Sequence, residues 1–129
     1  MWTYRRGLLV RVCSIVVISA VLASGCSVFN REAAATWDPA PDQTLDANTT
    51  TFTALVERLG CNSGVTGEVD DPAIEVTDDQ VVVTFTVSPG EPSSATCPSN
   101  AQVAAEVELP EALGDRDLVD GGSGVRYTP

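Results

Sequence analysis

Between Val81 and Ser88 apolar and polar residues alternate without a break. Val81, Val83, Phe85 and Val87 fall on one side, and Val82, Thr84, Thr86 and Ser88 on the other. A period of two carried by β-branched residues predicts a half-buried strand. Just upstream, Ile74 and Val76 alternate with Ala73, Glu75 and Thr77. With Asp78-Asp79 as the turn, Thr77 faces Gln80, Val76 faces Val81 and Ile74 faces Val83. Directly opposed residues share a face, so both apolar sets land on one side of a predicted hairpin. Asp-Asp is a weaker turn than Asp-Gly, which leaves a longer loop open.

Gln102 to Leu109 can be read at both periods. In a strand, Val103, Ala105, Val107 and Leu109 share a face. In a helix the same four residues point to about 0°, 200°, 40° and 240° and form no stripe. The strand is therefore expected, ended by Pro110. Phe52 to Leu59 is ambiguous. Phe52, Leu55, Val56 and Leu59 make a helical stripe, whereas the threonines at 49–51 and 53 and the short length favour a strand. One or two further short strands are expected between Arg116 and Tyr127, around Gly121-Gly122-Ser123-Gly124. The fold class predicted for residues 51–129 is all-β, a small antiparallel β-sandwich or open barrel.

Residues 26–50 show no sustained apolar period. Pro39, Pro41, several alanines and scattered aspartates predict a flexible linker, with Trp37 either folded back on the body, exposed or meeting a partner. Residues 1–25 read differently. Arg5, Arg6 and Arg11 precede an apolar run from Val12 to Ala23, followed by small residues and Cys26. That order is a secretory signal, to be set aside from fold reasoning. Leu22-Ala23-Ser24-Gly25-Cys26 resembles the lipobox of bacterial lipoproteins, with the leucine one place earlier than in the commonest form. The resemblance implies that the Cys26 thiol carries a diacylglyceryl group and becomes the first residue after cleavage. The competing readings are plain secretion and an uncleaved span from Gly7 to Ser24. Such a span is short for a bilayer and contains Arg11. Arg5-Arg6 leaves the export route open between general secretion and a twin-arginine signal.

Charge follows the same division. The chain of 129 residues has 7 Lys or Arg, 18 Asp or Glu and no His, for a net charge of −11. Without residues 1–25 it keeps 4 arginines against 18 acids, a formal charge of −14. Such a body is repelled by anionic headgroups, so attachment falls to acyl chains. A partner that is a nucleic acid is excluded, because phosphates must be neutralised by Lys or Arg. With Cys13 in the leader and Cys26 lipidated, Cys61 and Cys97 remain, and outside the cytoplasm they are expected to form a disulfide.

Little catalytic chemistry is on offer. The serines have no His to activate them, and the chain has no Lys for a Ser-Lys arrangement. The Gly-rich end lacks the Lys of a phosphate loop. Asp115, Asp117 and Asp120 suggest calcium, but an EF-hand count from Asp115 places Val119 fifth and Arg126 twelfth, so that motif fails. No enzyme activity, cofactor or metal is expected.

The strings Leu59-Gly60-Cys61-Asn62-Ser63-Gly64, Val82-Val83-Thr84-Phe85 and Leu113-Gly114-Asp115-Arg116-Asp117 resemble a group of short exported proteins of actinobacteria. The resemblance covers roughly residues 52–121 and implies an envelope setting without a transferable activity. Two functions are expected to compete. One is a lipid-anchored envelope module, held at the extracytoplasmic face of the cell membrane, that engages another envelope protein or a cell-wall polymer. The other is a cation- or small-ligand-binding accessory lipoprotein, in which several of Asp70, Asp71, Asp78, Asp79, Asp115, Asp117 and Asp120 converge on one point.

Overall fold

The structure, a computed structural model, describes residues 31–90 and 96–129. The expected leader, the expected lipidation position Cys26 and residues 27–30 lie outside the described residues. Every regular element described is a strand: β1 (Ala33–Pro39), β2 (Thr51–Arg58), β3 (Ala73–Val76), β4 (Gln80–Thr84), β5 (Thr86–Val87), β6 (Val103–Glu108), β7 (Asp117–Asp120) and β8 (Arg126–Tyr127). They form two four-stranded sheets, ordered β5-β1-β2-β6 and β3-β4-β7-β8. The run from Gln80 to Val87 serves both sheets, β4 in one and β5 in the other, with Phe85 at the crossing. Val81, Val83, Phe85 and Val87 are all buried, as a strict period of two requires when a single run lines a core throughout. The first sheet curls into a half-barrel, so the expected all-β sandwich or open barrel is the fold, with one departure. β4 pairs with β7 in parallel, Val81 opposite Leu118 and Val83 opposite Asp120.

The predicted hairpin has the expected register, Ile74 opposite Val83 and Val76 opposite Val81, with the Thr77 N–H donating to the Gln80 carbonyl. Ile74 packs on the core, while Val76 near the tip is exposed. Residues 103–108 are a strand, and Val107 and Leu109 are buried on the expected face. Thr51–Arg58 is a strand as well. Its inward row is Phe52, Ala54, Val56 and Arg58, whereas Leu59 of the helical stripe is 44% exposed.

The linker expectation is corrected for residues 33–50. Ala33–Pro39 is an inner strand, paired with β2 on one side (Trp37 opposite Val56) and with β5 on the other (Ala33 opposite Val87). The body therefore begins by residue 33 rather than 51. The physical reason is that β1 alternates with unusually small residues. Ala35 and Trp37 point inward and are buried, but one alanine and one tryptophan make too little apolar contrast to register as a period. Residues 41–50 are also bound in. The Gln43 side chain makes both bonds of a strand partner to Thr53, donating to its carbonyl and accepting its N–H. Asp46 caps the turn that leads into β2, accepting from the Asn48 and Thr49 N–H groups.

The core lies between the sheets around Trp37. Its ring sits 5.3 Å from Phe52 and 5.4 Å from Tyr127, and its indole N–H donates to the Val83 carbonyl at 2.9 Å. A buried indole donor needs such a partner, and this one ties β1 to β4. Cys61 and Cys97 are disulfide-bonded, as expected. No described helix is long and apolar enough to cross a membrane.

Candidate functional site

The seven aspartates proposed as a cation site do not converge. The parallel β4–β7 register places Gln80 opposite Asp117 and so brings the Asp78-Asp79 turn beside Asp115. Asp78, Asp79, Asp115 and Asp117 line one open groove of about 510 Å³ together with Arg116. Arg116 is occupied elsewhere: it pairs with Glu111 and donates to the carbonyls of Ala112 and Leu113, holding the 111–116 turn. Asp117 accepts from Thr128 and pairs with Arg126 at 3.4 Å. Asp70 accepts from the Thr86 hydroxyl in the first sheet, and Asp120 lies inside the protein. Among the described residues no three carboxylates or thiols are spaced to hold a metal ion.

Asp120 is instead the fastening between the sheets. It is fully buried at the end of β7. One carboxylate oxygen accepts the Gly122 N–H at 2.8 Å. The other accepts the Thr36 hydroxyl, the Trp37 N–H and the Ser123 hydroxyl. Two of these four donors belong to β1, so this carboxylate joins sheets that share no ladder bonds at this point. The two glycines after it make the approach possible. A Cβ on Gly122 would stand 1.9 Å from the Ala35 carbonyl, and one on Gly121 would stand 1.9 Å from the Thr84 hydroxyl. Beside this fastening Tyr127 donates to the Trp37 carbonyl and to Asp38. Burial first, then the Asp38 carboxylate, pushes the Tyr127 phenol well above its ordinary pKa, since both disfavour phenolate.

Arg58, the last residue of β2 and paired opposite Ala35, is turned into the body. It is 6% exposed, and no carboxylate among the described residues lies within ion-pair distance. Its guanidinium donates to the carbonyls of Thr66 and Ser88. Asn100 donates to the carbonyls of Arg58 and Gly60, while its own side-chain oxygen is buried without a partner among the described residues. The disulfide lies alongside. The Ser63 N–H bonded to Thr96 and the Ala101 N–H bonded to Gly64 hold the two connections that carry the cysteines together. Sequence reasoning missed Arg58 because a charged residue is not expected on an inward row, although the strand period continues the row Phe52, Ala54, Val56 onto it.

Among the described residues one edge of the first sheet is open. There β6 pairs with β2 alone, through Phe52 opposite Val107 and Ala54 opposite Ala105. The Leu109 N–H donates to Thr50, so alternation turns the backbone groups of Val103, Ala105 and Val107 toward β2. Those of Ala104, Glu106 and Glu108 face away from the sheet, and all three residues are exposed. Near the end of this strand Pro72, Ile74, Glu108, Leu109 and Pro110 line a shallow groove of about 460 Å³.

Compared with known proteins, the chain matches no protein-family model, no curated protein and no solved structure.

Proposed function

We propose that the chain is a lipid-anchored protein of the extracytoplasmic membrane face, whose β body is a non-enzymatic interaction module. The observation that carries the interaction reading is how the charged groups are used. Asp120 and Arg58 are consumed inside the body, Arg116 and Arg126 are paired with acids, and most other described carboxylates stand on the surface, Glu106 and Glu108 among them on an open sheet edge. Such a body presents an acidic surface and strand-edge hydrogen bonds, which suit recognition. The absence of His and Lys from the whole chain supports the non-enzymatic half.

Support for the anchor comes from the Leu22–Cys26 string. Because β1 starts at Ala33, a lipid on Cys26 would hold the body within about 25 Å of the bilayer at full extension. Two experiments test the reading. Cys26→Ala should block lipid labelling and leave the precursor uncut; normal labelling and processing would refute the anchor. Crosslinking in intact cells should capture a discrete partner, and its failure at several surface positions would refute the interaction module.

A further inference from the structure

We propose that the free edge of β6 receives an extended cationic segment of a partner protein, which joins the first sheet as an added strand. This inference rests on the interaction reading above and gives it a site and a partner chemistry. Ala104, Glu106 and Glu108 offer three N–H donors and three carbonyl acceptors at two-residue intervals, the arrangement that strand addition requires.

The side chains define what fits. In the sheet Thr53 lies opposite Glu106 and Thr51 opposite Glu108, so among the described residues of these two strands the outer face beside the edge carries two carboxylates and no cation. A strand laid against β6 sets its outer side chains directly across from Glu106 and Glu108, where opposite charge is favourable and like charge is not. Its inner side chains fall beside Val103, Ala105 and Val107, with the Pro72, Ile74, Leu109 and Pro110 groove at the end of the strand. The expected partner segment therefore alternates Lys or Arg with apolar residues. A second copy of this chain is a poor occupant, since it brings another acidic surface to an acidic edge. Glutamates on an edge strand can also serve only to prevent aggregation, and the experiment separates the two roles.

The full chain, 15N-labelled in detergent, is titrated with a blocked hexapeptide alternating lysine and valine. Controls are the glutamate–valine peptide and the lysine–valine peptide N-methylated at the amides that would face β6. Amide shifts should centre on Ala104, Glu106 and Glu108, and Glu106→Lys with Glu108→Lys should weaken binding about tenfold, as two exposed charge pairs reversed in sign allow. Both glutamates are exposed, so the variant should keep its fold, checked by its remaining amide spectrum. The inference is overturned if the N-methylated or acidic peptide binds equally well or no peptide binds. Shifts centred on the Asp78, Asp79, Asp115 and Asp117 groove, or retention of purified cell wall unaffected by the double reversal, overturn it too. If crosslinking in cells still captures a partner through another surface, the edge fails while the interaction reading stands.

Discussion

Replacing Asp120 tests the account of how the two sheets are held. Asp120→Ala leaves the Thr36 hydroxyl and the Trp37 and Gly122 N–H groups without their acceptor, while Ser123 nearer the surface can turn to water. A buried donor left unpaired costs about 1–3 kcal/mol. Three of them, partly relieved by relaxation, imply a loss of about 4 kcal/mol. That is a large share of the roughly 5–15 kcal/mol expected for a domain of this size. At a urea dependence of about 1.3 kcal/mol per molar, the unfolding midpoint should fall by about 3 M, read by circular dichroism. Asp120→Asn keeps one acceptor but turns an NH2 group toward a donor, for an expected loss of about 2 kcal/mol. Thr36→Val should cost less in the Asp120→Ala background than in the native one, with a coupling of about 1 kcal/mol. If Asp120→Ala falls within 1 kcal/mol of native, or the double variant is simply additive, the carboxylate is not what joins β1 to β7.

Four further outcomes follow from the same geometry. Reducing the Cys61–Cys97 bond, which spans 36 positions, should cost about 4 kcal/mol by chain entropy, seen as a lower Tm in reductant. Gly122→Ala should destabilise by about 2 kcal/mol or more, because its Cβ meets the Ala35 carbonyl at 1.9 Å; Gly60→Ala meets no neighbour, so its smaller cost should come from a positive φ alone. In a Tyr4→Phe chain Tyr127 is the sole tyrosine, and its ultraviolet titration should lie above that of the urea-unfolded chain. Since the native pKa is the higher one, the linked stability is present in full below about pH 10 and is lost as pH rises through the native value. Calcium at millimolar concentration should leave the Tm unchanged, as no three described carboxylates are spaced to hold a metal ion; a rise of several degrees would restore the cation-binding reading.

What the sequence disclosed and what it hid divide along physical lines. The hairpin at Ala73–Thr84 was legible to the residue, because a local turn and two alternating runs fix one register. Gln102–Leu109 was legible because its apolar residues fit only one of two periods. β1 was hidden because Ala35 carries its inward face, and one alanine beside Trp37 makes too little apolar contrast to read as a period. The parallel pairing of β4 with β7 was hidden because nothing in a local pattern names a partner more than thirty residues away. Asp120 was noticed for the wrong chemistry. An aspartate before two glycines looks like a solvated turn or a metal ligand, and only the approach of β1 reveals that its acceptors are filled by backbone and hydroxyl donors. Arg58 was missed for a related reason, since a charge on an inward strand position contradicts its own residue type.

The Thr36–Asp120 hydrogen bond joins positions 84 apart in a chain of 129. A ribosome delivers the first of these long before the second. Until Gly122 has emerged, β1 has neither its fastening nor the close packing against the Ala35 carbonyl. The segment from Asp117 to Tyr127 therefore acts as the latch for β1, and a nascent or clipped chain lacking it should stay soft and open to proteases.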